Sequence, residues 1–357
     1  MTTIDLSNIV ITATSAVTAV GANTLQTCAA IKARITPFVE HAYITCTPDD
    51  PEWDDSLPTY VATVPFISPV LNTIERFTQL AIPALTELFA NSKLKRVDLG
   101  KTVLLIALPL VDKSVQHLAL NDSWIANLQK ETGLGGLSQI RIVRSGHVGV
   151  FSLMNEAIEL LNHGDVEQCI IGGVDSYLLE ERIAHLDLHW RVKSERNVDG
   201  FIPGEAAAML LLERHSNGLS RGVKSKATIV SMGTGNEINS FHSQLTSTGV
   251  GLGDAIKTAL SEAVQAKPID AIYCDFNGES YFAHEWGLMR NRLAQVFNQA
   301  KTFNHPAECY GDVGAATGAL LVVNAIESMN APKENINTTL LATVNDDGLH
   351  RTLLLTK

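Results

Sequence analysis

The sequence predicts an α/β fold in which one unit is used twice. Three observations carry this. Short apolar runs rich in β-branched residues alternate with stretches of helical spacing along the chain. Residues 141–157, RIVRSGHVGVFSLMNEA, read as a strand that stops at a small turn and opens a helix through Val150, Leu153, Met154 and Ala157. That turn, Gly-His-Val-Gly at 146–149, has an echo in Gly-Asp-Val-Gly at 311–314, which also opens an apolar helix leading to a short strand. Two units packed about a pseudo-twofold axis would turn both turns toward one pocket. His147 and Asp312 would then meet there, each at a helix start.

The elements follow in order. IVITATSAV (9–17) is the first strand, and LQTCAAIKARI (25–35) a helix. Segment 47–58, TPDDPEWDDSLP, is acidic, proline-bearing and aperiodic, and reads as a surface loop. A helix over 74–90 contains Pro83, which is expected to kink it. VLLIALP (103–109) is a buried strand. The helix of the His147 turn runs to His163 and stops at Gly164, an ordinary glycine end. QCIIGGVDS (168–176) and AAAMLLLE (206–213) are strands, and 214–226 is a charged link. The pattern then restarts with a strand over 227–235, a helix over 251–265 and a strand over 269–278. The helical run 309–329 and the strand and turn of 339–348 follow. The Gly-Thr-Gly at 233–235 lacks the rest of a dinucleotide fingerprint and reads as a strand-end turn.

Composition narrows the function classes. The chain is 45% hydrophobic and 18% charged, enough for a large core. No apolar stretch approaches the roughly 20 residues of a membrane span. The first residues, MTTIDLSNIVITATS, lack a basic leader before their apolar run, so no signal peptide is expected. Five cysteines at 28, 46, 169, 274 and 309 form no CxxC pair, which points to reduced thiols in a cytoplasm. A net charge of −11 argues against nucleic acid or an anionic membrane as partner.

Several segments together resemble the thiolase-like superfamily, and within it the β-ketoacyl-acyl-carrier-protein synthases. They are IVITATSAVTAVGANT, HGDVEQCIIGGVDS, NVDGFIPGEAAAMLLLE (197–213) and GDVGAATGA, and the likeness runs over nearly the whole chain. It implies a five-layered α/β/α/β/α duplication. The N-terminal half would span 1–214, with a loop insertion near 47–70 and a dimer region near 110–200, and the C-terminal half 225–357. It also implies pairing into a twofold homodimer, or a heterodimer with a ketosynthase, with the 165–176 strand near the seam.

The likeness breaks at the reaction centre. The position of the family's nucleophilic cysteine falls on His147, the first catalytic histidine on Asn277, and the second on Asp312. The lysine before that second histidine falls near Ala307, and the glycine- and phenylalanine-rich gate becomes NDDGLH (345–350). A narrower likeness rests on NVDGFIPGEAA, DFNGES, HPAECYGDVGAA and NDDG. It is to the thiolase-like proteins of bacterial type VI secretion effector modules, and implies a context of effector loading with no established reaction.

Three functions remain open. The first is a non-condensing scaffold that binds a secretion effector or adaptor. The second is a partner subunit like a chain-length factor, which would have to dock an acidic carrier protein. The third is an acyltransferase or hydrolase with His147 as base, Asp312 as its orienter and Asn277 as oxyanion donor. A helix N-terminus disfavours imidazolium and is expected to hold His147 neutral. Glu279 adds a second carboxylate. The opposing reading of all four is a hydrogen-bonded polar plug. No cofactor is expected, and no metal, because His147, Asp312 and Glu279 have no histidine or cysteine pair beside them. Cys309, His185, His189, Trp190 and Arg191 read as packing, cap or surface residues, and Glu205 as an internal hydrogen-bond anchor.

Overall fold

Every strand with apolar side chains on both faces needs cover on both sides. β4 (Thr102–Leu108) shows how this chain supplies it. Val103, Leu105 and Ala107 face one core cluster, and Leu104, Ile106 and Leu108 face another. The same two-residue alternation divides β7 (Glu205–Arg214) and, in the second half, β9 (Ala271–Cys274), β11 (Thr338–Val344) and β12 (Leu349–Thr356). The computed structural model describes residues 6, 8–46, 57–195, 197–263 and 268–357. Most of the 47–58 segment therefore lies outside the described residues.

The remaining strands are β1 (Ile9–Thr18), β5 (Gln139–Arg144), β6 (Gln168–Ser176), β8 (Ala227–Asn236) and β10 (Thr302–Asn304). A separate antiparallel pair joins β2 (Val39–Cys46) to β3 (Leu57–Val61). The large sheet runs β10-β9-β11-β12-β8-β1-β7-β6-β4-β5. Read outward from its middle, the two halves are the same. β1 and β7, and β7 and β6, pair antiparallel, while β6 and β4, and β4 and β5, pair parallel. β8-β12-β11-β9-β10 repeats that sequence of directions. The halves join where Val10 and Ile11 of β1 pair with Thr228 and Ala227 of β8.

Helices Gly149–His163 and Thr317–Asn330 carry the central core cluster together with the inner faces of both half-sheets. Helix Glu75–Ser92, which accommodates Pro83, covers the outer face of the first half. Helices Val250–Glu262 and Ser280–Arg292 cover that of the second. The result is helix, sheet, helix, sheet, helix.

The structure corrects four expectations. The 168–176 strand is not an edge: β6 lies between β4 and β7 and is buried throughout. Among the described residues β5 pairs on one side only, with β4, and is the edge of the first half. Gly233 and Gly235 are not in a turn but inside β8. A Cβ at either would meet the backbone of helix Val250–Glu262 at 1.9 Å, so glycine is what lets this helix approach. The 214–226 link contains a short helix, His215–Ser220. Finally, the Gly-x-Val-Gly echo is out of step with the true repeat. The 3₁₀ turn Gly146–Val148 corresponds to Gly314–Ala316, each opening with a glycine at positive φ (56° and 49°) and running into a central helix. Asp312 stands just before its turn, whereas His147 stands inside its own.

Candidate functional site

His147 sits where β5 ends and a central helix begins, so its imidazole leaves the backbone over the middle of the molecule. Asp312 comes from the equivalent corner of the second half and is anchored by its backbone to the first. Its amide donates to the Ile202 carbonyl, and its own carbonyl accepts from Gly204. The structure brings the two side chains together. His147 Nε2 lies 2.7 Å from Asp312 Oδ1, across 165 residues of chain. Asn277 Nδ2 donates to Asp312 Oδ2 at 2.8 Å and to Glu279 Oε2 at 3.0 Å. The Gly314 amide gives Asp312 a third donor, at 2.9 Å. His147, Asn277, Asp312 and Glu279 thus form one connected network.

The network extends to residues whose roles were not legible in the sequence. Arg191 clamps Glu279 with Nε and Nη2 at 2.8 and 2.7 Å and reaches Asp346 with Nη1 at 2.5 Å. Its guanidinium carbon lies 4.3 Å from the Phe241 ring centre and 5.3 Å from that of Phe201, within cation–π range. Arg191 is thus a cross-link, not simple loop packing. Asn345 ties the next turn down: its Nδ2 donates to the Ser145 carbonyl and its Oδ1 accepts from the Val148 amide. Asp275, two residues before Asn277, takes the Val344 amide at 2.6 Å. Asp275 and Asn277 follow the C-terminal end of β9, where α/β sheets place polar site residues, and this position was the available signal.

The electrostatics overturn the neutral imidazole. Burial pulls the His147 pKa down, but the Asp312 charge and its hydrogen bond, helped by Asp275 and Asp346, push it up to about 9. A direct ion pair outweighs the partial charge of a helix end. Burial alone would raise the Asp312 carboxyl; the His147 charge, with three donors, brings it down to about 2. Asp275, with burial dominant, rises to about 7. Stability from the raised imidazole is complete below pH 6.5 and fades as pH climbs through about 9. Stability from the depressed carboxyl is complete above 3.8 and fades as pH falls through about 2. An NMR titration of His147 should therefore show an imidazolium at pH 7.5, with its midpoint near 9. In Asp312→Asn that midpoint should fall below 7. A wild-type midpoint near 6.5 would refute the ion pair.

The void beside Asp312 is lined by Cys274, Asp275, Tyr310, Thr317 and Leu321 and is too narrow for a water molecule. Cys274, not Cys309, is the thiol on its wall. Among the described residues no group of three or more histidine, cysteine or acidic side chains is arranged to hold a metal. Ala307 begins a short helix, Ala307–Tyr310, ahead of Asp312. Glu205 is the anchor expected: it takes Arg76 Nη1 at 2.7 Å, Val64 N at 2.9 Å and Ser176 Oγ at 2.9 Å. His185 and His189 pack ring against ring, tilted by 49° with centres 4.4 Å apart, at the end of helix Glu180–Leu188.

No family model matches the sequence, and no curated protein matches it. Solved structures are similar over the full length. One is an acyl-carrier protein of a type II polyketide synthase in complex with its ketosynthase (AntDE:AntF), at a TM-score of 0.78 and 14% identity, covering 99% of this chain and 100% of that one. The ishigamide ketosynthase/chain length factor matches at 0.76 and 14%, covering 99% and 100%. A β-ketoacyl synthase from Burkholderia phymatum matches at 0.73 and 18%, covering 98% and 99%. The fold is thiolase-like. In this thiolase-like frame, the three positions that the sequence resemblance assigns to a cysteine and two histidines lie together, and carry His147, Asn277 and Asp312.

Proposed function

We propose that the chain is a non-condensing, ketosynthase-like scaffold that binds a protein partner. One observation supports the reading: the three side chains that the resemblance assigns to the reaction centre, His147, Asn277 and Asp312, are hydrogen-bonded to each other. Condensation needs a thiolate to accept the acyl group and neutral imidazoles to meet an enolate oxygen. Here position 147 holds a cation paired to a carboxylate, and position 312 holds an anion that would repel an enolate. No acyl-enzyme should form. Incubation with an acyl thioester should give no mass adduct on the chain, and malonyl-carrier protein should release no carbon dioxide. His147→Cys should not restore activity, because the adjacent Asp312 carboxylate would raise the new thiol's pKa. Turnover that His147→Ala abolishes would favour the hydrolase or acyltransferase reading.

The assembly we infer is a pair of chains joined at β5, a homodimer or a heterodimer with a related ketosynthase. Ser138 N donates to Thr102 O, so by alternation the amides of Gln139, Arg141 and Val143 point away from β4. An open parallel-sheet edge of this kind invites another strand. Arg141→Pro removes one outward donor while leaving the β4 side intact. Light scattering should give a dimer mass for the parent and half that mass for the variant, with similar melting. A monomeric parent at micromolar concentration would overturn this. The resemblance of NVDGFIPGEAA, DFNGES and NDDG supports a cytoplasmic role in type VI secretion effector loading. Co-purification with the effector or adaptor encoded beside it tests that role. The chain-length-factor reading draws support from the structural likeness to a ketosynthase/chain length factor, and requires the heterodimer.

A further inference from the structure

We propose that Arg351 and Thr343 form a seat for a carboxylate, carried by a small ligand or by a chain end. This goes beyond the scaffold reading and does not rest on it. Arg351 of β12 stands in register with Thr343 of β11 on one side and with Thr234 of β8 on the other. Strand alternation puts all three on the face toward the central helices. Leu341 and Leu353, two residues from Thr343 and Arg351, belong to the central core cluster. Gly233, Gly235 and Thr352 instead face helix Val250–Glu262. A Cβ on either glycine would meet that helix, and Thr352 Oγ1 donates to the Ala255 carbonyl at 2.8 Å. Thr234, between the two glycines, therefore faces the other way. The row runs from buried Thr343 through half-buried Arg351 to exposed Thr234, so it leads from the interior to solvent.

The unmet bonds of this row point to a ligand. Arg76, Arg182, Arg191 and Arg221 each hold a carboxylate. Arg351 has no such partner among the described residues, and its buried Nε meets no acceptor. Burial pulls its pKa down, with no neighbouring charge to restore it. Thr343 is fully buried, and its hydroxyl also lacks a partner. Two buried donors, opposite each other on adjacent strands, call for the same thing: an oxygen acceptor. A guanidinium edge beside a hydroxyl is a donor set that recognises an oxyanion. Charge narrows the class. One cation balances the single charge of a carboxylate. A phosphate dianion would leave a surplus charge in a half-buried place, in a chain already at −11.

Sodium acetate, titrated at constant ionic strength into the isotope-labelled full chain and followed at the arginine Nε–H signals, tests this. The Arg351 signal, assigned by its loss in Arg351→Gln, should shift saturably. Inorganic phosphate, a dianion in mildly alkaline buffer, should bind at least about tenfold more weakly. Thr343→Val keeps the shape and removes the hydroxyl, and should weaken acetate binding about three- to tenfold. A second measurement needs no ligand. Arg351→Met keeps most of the apolar stem and should melt at least as high as the parent in acetate-free buffer, because an unpaired cation there contributes no stability. A tripeptide with a free C-terminus, compared with its amide, separates the sources. Binding by the acid alone and more tightly than acetate assigns a chain end, and weaker or no binding assigns a small free acid. An unsaturated drift shared by the exposed arginines is ionic screening and overturns the seat. So does parental acetate affinity in Thr343→Val, or an Arg351→Met chain that melts several degrees lower.

Discussion

Arg76→Ala should cost about 3–5 kcal/mol of folding stability, a large part of what a domain has to lose. Arg76 and Glu205 have fully buried side chains, and their ion pair at 2.7 Å crosses from helix Glu75–Ser92 to β7. The guanidinium also fills the Leu71 and Ser68 carbonyls at 2.8 Å each. Removing it strands a buried carboxylate and two carbonyls in low dielectric, where water cannot replace it. The double variant Arg76→Leu with Glu205→Leu should recover part of the loss, because no lone charge remains. It should not recover all of it, since the Val64 amide and the Ser176 hydroxyl lose their acceptor. Urea unfolding of the two variants checks both statements. A single variant within about 1 kcal/mol of the parent would contradict the pairing.

Gly173→Ala should cost roughly 1–3 kcal/mol or more, and should also disturb the site at a distance. A Cβ on Gly173 would stand 1.9 Å from the Ala315 carbonyl, so backbone must move. Ala315 belongs to the 3₁₀ turn that follows Asp312, and its amide is tied to Asp175 Oδ2 at 2.8 Å. Pushing that turn away pulls Asp312 from His147. The His147 titration midpoint should then fall from near 9 toward an ordinary value. Gly100→Ala, with nothing within 4 Å of the added carbon, is the matched control and should do neither. A Gly173→Ala chain with parental melting and an unmoved His147 midpoint would show that the turn is not fixed from β6.

The frame was legible in the sequence because it follows from patterns that hydrophobicity alone writes. β4 and β7 carry continuous apolar runs, β1 and β6 are short segments rich in apolar and small residues, and the turn before helix Gly149–His163 is marked by its glycines. Strand order was less legible, since QCIIGGVDS and QIRIVR both read as strands. Only the pairing shows that the more polar of them, β5, lies at the edge. The positions of His147, Asn277 and Asp312 could be inferred from the resemblance. The charge on His147 could not, because it depends on a carboxylate 165 residues away at a hydrogen-bond distance. Arg191 escaped for the same reason. Its partners Glu279 and Asp346 come from separate loops, and no local spacing links them.

The central helices reach further than the site they position. Helix Thr317–Asn330 buries nearly every side chain, and the glycines that let backbone approach backbone lie in the strands and turns around it. The side chains at 147, 277 and 312 contribute little to that packing. Selection on the shape of this molecule and selection on its chemistry therefore act on different letters of the gene. Substitutions at 147, 277 or 312 can change the site's chemistry and keep every layer in place. Substitutions at Gly173 or Gly233 are not so free. A duplicated gene with this frame begins with a rigid body already made, and its surface is then free to acquire a new partner.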